Sequence, residues 1–296
     1  MPLISVGQLI DHSWEHFRKH FVEVMSISCL LFIPTIFGII SLAIYPNAST
    51  LLSERALTQS ETFAVALWLI NTGLITPIVG IFVFIGLVRL IRSQFEKTKI
   101  SLNELFHISK KFFWSLVFIN LLLGCVLIVP WILTLPGFGL GILGTTVTND
   151  ALITLGNVLL TIGVVVACIL TVRWLIYYTY APFALLFEDH HGRKALRRSR
   201  ELIDGRFWGI LIRMAVPKII FLLIVVAAEG VLSYAAEFLV SNAVGLNQDL
   251  AVRLTGILAT IIVSTGAIFA NPLMLTTDGL LYQSLKENRQ KKSAEE

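Results

Sequence analysis

The sequence predicts an all-α integral membrane protein with six transmembrane helices, and three observations lead to that prediction. Hydrophobic residues make up 56% of the 296 residues and the mean hydropathy is +0.81, which is more apolar surface than a water-soluble domain of this size can bury. Six apolar runs each exceed the roughly 20 residues that cross the hydrocarbon core as a helix. None of the runs shows the strict apolar and polar alternation of a barrel strand.

The six runs are separated by more polar connections. They cover residues 22–45, 63–92, 113–136, 152–181, 209–240 and 253–282. No short apolar segment with a small-residue cleavage site precedes the first run, so we expect an uncleaved first helix. After the third run, the glycine-rich segment Pro136–Thr146 is interpreted as a flexible external loop rather than an ion-selectivity filter, since it carries no charges.

Lysine and arginine are concentrated on one side of the predicted spans. That side holds Arg18, Lys19, Arg89, Arg92, Lys97, Lys99, Lys110, Lys111, Arg193, Lys194, Arg197, Arg198, Arg200, Arg206, Lys286, Arg289, Lys291 and Lys292. The opposite loops hold only Arg55 and Arg253. The positive-inside rule therefore predicts that both termini, including the polar tail 286–296, lie in the cytoplasm. We expect the protein in the plasma membrane of a bacterial or archaeal cell. Topology accounts for the net charge of +4, so we expect no nucleic-acid partner.

An internal repeat divides this single membrane domain into three parts. A shift of 96 positions carries Ser13 onto Ser109 and Pro34 onto Pro130, and a shift of 186 positions carries Ser13 onto Ser199. Each copy begins with a segment whose apolar residues fall on one side of a helix. We predict three units at about 5–92, 101–187 and 191–285, each an amphipathic helix at the membrane interface followed by a transmembrane hairpin.

The three aligned serines lie near the centre of each apolar face. A large side chain would be expected there, because that face is the one that is buried. A small residue lets another helix approach closely. We therefore predict that Ser13, Ser109 and Ser199 lie in close helix contacts rather than bind a ligand.

Two segments resemble a known family. They are APFALLFEDHHGRKALRRSRELIDGRFWGI (Ala181–Ile210) and NPLMLTTDGLLYQSLKENRQ, which contains Pro272, Leu280, Leu281, Tyr282 and Leu285. Both are similar to the membrane domain found in some glycerophosphoryl diester phosphodiesterases and in related stand-alone multi-pass proteins. The resemblance implies a shared fold but no common activity, because the phosphodiesterase chemistry of fused members belongs to a separate soluble barrel domain. The chain lacks that domain's His-Arg-Gly and Glu-x-Asp catalytic pattern, so we expect no phosphodiesterase activity.

Four polar side chains inside the predicted spans are candidate functional residues, since each is unfavourable in hydrocarbon unless it is paired or hydrated. They are Arg173, Glu229, Asn271 and Asp278. Arg173 has three interpretations: an ion pair with Asp278, snorkelling to the interface with Asp278 among the headgroups, or a contact to a lipid phosphate. Glu229 is interpreted either as a neutral carboxyl hydrogen-bonded within the bundle, or as part of a polar cavity with Asn71, Asn157 or Asn271 that serves a proton relay or a substrate path.

The basic segment after the fourth span is the remaining candidate site. Glu188–His191 is interpreted as a charged turn whose acids pair with the arginines that follow. A metal site is not expected there, because four consecutive residues rarely converge on one ion. Contact to anionic lipid headgroups or to a protein partner is predicted for Arg193, Lys194, Arg197, Arg198 and Arg200.

Two functions are consistent with these residues. The first is a non-enzymatic membrane protein that acts through contacts at its basic cytoplasmic face, with membrane lipids, a protein partner or a second copy of the chain. The alternative is a transporter of a lipid or small amphiphile, with Arg173, Glu229, Asn271 and Asp278 lining a polar cavity. No catalytic residue, cofactor or metal ligand is expected. The sequence has no Walker A loop, nucleophile elbow or HExxH motif, and Cys29, Cys125 and Cys168 lack CxxC spacing.

Overall fold

The structure is a computed structural model that describes residues 4–46, 55–98, 100–245 and 247–295. Within these ranges the chain is helical and contains no strand. Six helical segments of the described chain are long and apolar enough to cross a membrane: Phe21–Ile44, Gln59–Phe95, Asn103–Thr146, Asp150–Glu188, Phe207–Val244 and Gln248–Gln290. The predicted class, an all-α multi-pass membrane protein, is confirmed. Lys99 and the side chains of Lys291 and Lys292 lie outside what the structure describes.

The helices are numbered in chain order. They are α1 (Val6–Lys19), α2 (Phe21–Ser28), α3 (Phe32–Ile44), α4 (Gln59–Ile70), α5 (Thr76–Phe95), α6 (Leu102–Ile128), α7 (Leu135–Thr146), α8 (Asp150–Tyr178), α9 (Ala181–Glu188), α10 (Arg193–Ile203), α11 (Phe207–Val244) and α12 (Gln248–Glu295). A 3₁₀ turn at Cys29–Leu31 joins α2 to α3, a π-helical turn at Asn71–Ile75 joins α4 to α5, and a 3₁₀ segment at Val129–Thr134 joins α6 to α7.

Local chemistry explains where helices begin and where they change pitch. Ser5 and Gln8 form a reciprocal capping box that satisfies two backbone N–H groups at the start of α1. Pro34 and Pro130, which the repeat superposes, are both buried, Pro34 just after a 3₁₀ turn and Pro130 inside one. Proline has no N–H and its ring crowds the carbonyl four residues earlier, so a regular α-helix is disturbed at both places.

Contacts within the chain cluster into two compact units. Unit 1 comprises Met1–Phe113 and Ile212–Glu296, and unit 2 comprises Trp114–Leu211. These boundaries differ from those of the three predicted repeats. The division of the chain into repeats stays a prediction.

The stretch of α12 from Ile268 to Leu285 forms the centre of unit 1. Its buried residues include Ile268, Ala270, Leu273, Thr276, Thr277, Asp278, Leu281, Tyr282 and Leu285. Helices α1, α2, α3 and α5 pack against α12. A hydrophobic cluster fills the space between helices of this unit, and its buried members are Phe17, Val24, Ile27, Val83, Leu87, Leu90, Leu105, Phe221 and Leu273.

The first amphipathic helix packs on protein. Helix α1 buries Leu9, Ser13 and Phe17 and lies against α12. The hydroxyls of Ser13 and Thr277 are 3.0 Å apart, so the two helices approach closely at the serine. The close contact predicted for Ser13 is therefore confirmed.

The second amphipathic segment does not form the separate interfacial helix that was predicted. Residues Leu102–Ile128 form one continuous helix, whereas α1 ends at a turn at His20 and α10 ends before Gly205, whose φ is +77°. No glycine or proline interrupts the sequence between Ser101 and Phe118, so nothing breaks the backbone hydrogen bonds there. Ser109 is buried, and a Cβ on Gly86 would lie 3.8 Å from its hydroxyl, which confirms the predicted close contact.

Unit 2 contains a helical hairpin, and the prediction of a flexible loop at Pro136–Thr146 is wrong. Helix α7 packs along α8 with its backbone in direct contact at glycines. A Cβ on Gly156 would lie 2.5 Å from the backbone nitrogen of Gly141, and one on Gly163 would lie 2.7 Å from the Leu133 carbonyl oxygen. Glycine here allows two membrane helices to touch, whereas its frequency in the sequence suggested flexibility.

Candidate functional site

The basic segment of unit 2 is held in place by a break in the preceding helix. Pro182 lies in the first turn of α9, where it prevents α8 from continuing smoothly. The hydroxyl of Ser199 in α10 bridges this break, since it donates to the Tyr177 carbonyl at 2.7 Å and accepts from the Tyr180 N–H at 3.1 Å. The close contact predicted for Ser199 is confirmed, and its hydroxyl satisfies two backbone groups that the break would leave without a helical partner.

An ion pair holds α10 against the turn that follows α9. Arg198 donates from Nε to Glu188 Oε2 at 2.8 Å and from Nη2 to Glu188 Oε1 at 3.4 Å. The two side chains are 21% and 11% exposed. The pairing predicted for the turn Glu188–His191 is therefore confirmed. Arg198 therefore positions α10 against this turn. The headgroup contact predicted for it stays a prediction.

The other four cations of the predicted set face outward. Arg193, Lys194, Arg197 and Arg200 are exposed, and we call them the basic ridge. Arg197 pairs with Glu201 at 3.0 Å, while the other three ridge residues have no acidic partner in the described part of the chain.

The ridge has a regular geometry. At 100° per residue, its three arginines fall within about 60° of one another and extend for about 10 Å along α10. The opposite side of α10 is buried through Ala195, Leu196, Ser199, Leu202 and Ile203. Arginine presents a planar fork of N–H donors that matches phosphate, so this face is suited to phosphate groups.

Asp278 is paired, but with a residue that the sequence-based prediction missed. Its Oδ2 lies 2.8 Å from the Nζ of Lys218, and the side chains of the lysine and the aspartate are 30% and 11% exposed. Its Oδ1 is buried with no hydrogen-bond partner among the described residues. The pair joins α11 to α12 inside unit 1. The available signal was a lysine directly after Pro217 within an otherwise apolar run.

Arg173 contacts an aromatic ring. Its guanidinium carbon lies 5.6 Å from the centroid of the Tyr177 ring. Asp278, the partner predicted for Arg173, is paired with Lys218 within unit 1. No described carboxylate of unit 2 is within ion-pair distance of Arg173. The three interpretations of Arg173 stay predictions.

Glu229 and Asn271 do not join Asp278 in one polar site. Glu229 packs against Gly266 of α12, where an added side chain would collide with its carboxylate. Asn271 is exposed. Gly266 and Asp278 are 12 residues apart, which is about 18 Å along a helix. The transport alternative stays a prediction.

Comparison of the chain with protein-family models, with curated proteins and with solved structures finds no match in any of the three.

Proposed function

We propose that this chain is a membrane domain of the glycerophosphoryl diester phosphodiesterase type, that its residues carry out no enzymatic chemistry, and that its basic ridge binds anionic lipid headgroups. The observation that carries the proposal is the placement of four cations on the exposed face of a helix whose opposite face is buried. With both termini in the cytoplasm, as the positive-inside rule predicts, the ridge faces the leaflet that is rich in anionic lipid.

The way α10 is held supports this proposal. The hydrogen bonds of Ser199 and the Arg198–Glu188 pair hold the helix, so the ridge cations are presented at a set spacing. A preorganised surface loses less conformational entropy when it binds. Each lysine or arginine close to an anionic membrane surface contributes about 1 kcal/mol.

Lipid is favoured over a protein partner by the chemistry of the exposed face. The exposed residues of α10 are all charged, whereas protein interfaces depend on apolar or aromatic anchors that fill pockets. Headgroup phosphates need only cations and hydrogen-bond donors, which the ridge supplies.

The test removes three ridge charges and measures lipid association. Full-length protein carrying R193Q/K194Q/R200Q is purified in neutral detergent, and its retention of phosphatidylglycerol is measured by native mass spectrometry at increasing ionic strength. We expect retention to fall about tenfold or more at low salt, and the difference from the unaltered protein to shrink as salt screens the charges.

The matched control, R18Q/K110Q/R289Q, removes the same charge from exposed cations of unit 1. We expect it to retain lipid like the unaltered protein. The proposal fails if the ridge variant retains phosphatidylglycerol unchanged at every ionic strength. It fails equally if the control loses as much lipid as the ridge variant, because a general charge effect would then explain both.

A further inference from the structure

Unit 2 carries an open groove of about 670 Å³ between α8 and the start of α11. Its lining includes Ile169, Val172, Arg173 and Tyr177 from α8, and Phe207 and Trp208 from α11. This volume lies within the range of about 300–1,000 Å³ that is usual for ligand sites. The groove is therefore large enough to hold part of a lipid.

Arg173 is the single cation in this lining. It is exposed, and the described residues of unit 2 offer it no carboxylate within ion-pair distance. A cation inside a membrane-crossing segment is unfavourable unless water or an anion reaches it. The groove thus has a positive charge whose complement unit 2 does not supply.

The rest of the lining indicates which anion fits. Arg173 is surrounded by aliphatic and aromatic side chains, and Trp208 is 72% exposed. Tryptophan in that setting is typical of the boundary between headgroups and acyl chains. An inorganic phosphate would satisfy only the guanidinium, whereas a phospholipid would also cover the apolar walls.

We propose that the groove binds one anionic phospholipid, with its phosphate on the Arg173 guanidinium and an acyl chain along Val172 and Ile169 towards Cys168. Cys168 also lines the groove and precedes Arg173 by five residues, about 7 Å along α8 towards the middle of the span. The guanidinium fork binds phosphate through two N–H groups. The site uses none of the ridge residues, so it goes beyond the proposed function and does not depend on it.

The experiment measures the lipid that the full-length protein retains in neutral detergent, with phosphatidylglycerol and phosphatidylcholine as probes and native mass spectrometry as the readout. Retention is compared at the high ionic strength that removes the salt-sensitive lipid of the ridge. We expect one phosphatidylglycerol per chain to stay bound there, preferred over phosphatidylcholine by about tenfold. R173Q should abolish that preference, because it removes a charge-assisted hydrogen bond. R173K should keep part of it, since the charge remains.

A second variant tests the groove itself. V172W keeps the cation and fills the space beside it, so it should lose the bound lipid even though Arg173 is present. Val172 is 54% exposed, so the larger side chain has room and the variant should fold. V172W therefore tests lipid binding in the groove even if R173Q fails to fold.

Three results would overturn the proposal. The first is equal retention of phosphatidylglycerol by R173Q and the unaltered protein. The second is full retention by V172W, which would mean a headgroup contact without an acyl chain in the groove. The third is displacement of the lipid by inorganic phosphate alone, which would assign the site to free phosphate. R193Q/K194Q/R200Q should keep the groove lipid, which separates a failure here from a failure of the proposed function.

Discussion

Helices of unit 1 are joined by polar side chains, whereas α7 and α8 of unit 2 touch through their backbones. The unit 1 contacts include Lys218–Asp278, the amide of Asn71 on the Pro34 carbonyl at 3.0 Å, and the hydroxyls of Thr35 and Ser264 at 2.8 Å. In unit 2 the contact is made at Gly137, Gly144, Gly156 and Gly163, each of which has backbone atoms where a Cβ would lie.

The two kinds of contact are sensitive to different substitutions. Lipid tails are as apolar as leucine, so membrane helices associate through close packing and hydrogen bonds rather than through burial from water. A polar contact fails when one partner is removed, because the other is left buried and unpaired. A glycine contact fails when a side-chain atom is added, because the neighbouring backbone cannot move aside as a side chain can by changing its rotamer.

The largest effect is expected at the ion pair of unit 1. D278A should lower the free energy of unfolding by about 3–5 kcal/mol, because it leaves the Lys218 charge without its partner. The measurement is unfolding in mixed micelles with increasing denaturing detergent. The double variant K218M/D278L removes both charges, and its free energy of unfolding should fall clearly less than that of D278A. Equal loss in the two variants would show that pairing is not the source of the stability.

The next largest loss of stability is expected at the glycine contact of unit 2. G156A should lower the free energy of unfolding by about 1–3 kcal/mol, since the new methyl would lie 2.5 Å from the Gly141 nitrogen and 2.9 Å from its Cα. G141A is the matched control from the same hairpin, because a Cβ there meets nothing within 4 Å. It should be neutral or stabilising, as alanine favours helix over glycine. A G156A protein as stable as G141A would contradict the close backbone contact.

A smaller difference in the free energy of unfolding should separate two of the three aligned serines, Ser13 and Ser199. S199A removes the acceptor of the Tyr180 N–H and the donor to the Tyr177 carbonyl, and should cost about 1–3 kcal/mol. S13A should cost about 1 kcal/mol or less, because the Thr277 hydroxyl can still donate to the Leu273 carbonyl at 2.9 Å. Both values come from unfolding in the same micelles. A larger loss for S13A than for S199A would reverse the order that the hydrogen bonds predict.

The smallest effect is a pH dependence of unit 1. Burial lowers the pKa of His16 below its ordinary value of about 6.5, and nearby His20 and Lys19 lower it further. The Gln94 side chain, 2.6 Å from Nε2, and Glu23 oppose this shift. As the pH falls below about 6.5, the unfolded chain binds the proton before the folded one does, so stability should decrease and then level off below the folded pKa.

Replacing this histidine should flatten that dependence. H16N removes the titrating ring, and the free energy of unfolding should then fall less between neutral and mildly acid pH. H12N, at an exposed position of the same helix, is the matched control and should keep the original slope. If H16N kept the slope of the unaltered protein, another group would be responsible.

The spans were predictable from the sequence because hydropathy over 20 residues is a local property, and their approximate limits agree with the structure. The prediction ended the third span at residue 136, because the glycines that follow were taken as a sign of flexibility. In the structure this span continues to Thr146. The burial of Ser13, Ser109 and Ser199 followed from helical periodicity. The hydrogen-bond partners of Ser199 could not be predicted in this way, because they are backbone groups at the break near Pro182, beside which α10 folds back.

Residue patterns within a few turns of one helix are enough to predict the membrane class, the six spans, the amphipathic faces and the outward position of the basic ridge. The folded structure was needed to show that Lys218, 60 residues away in sequence, pairs with Asp278, and which arginine binds Glu188. It likewise decided that glycines of α7 meet the backbone of α8, and that Arg173 faces an apolar groove. These outcomes depend on which faces of separate helices meet, and residue spacing along one helix carries no information about the helix opposite.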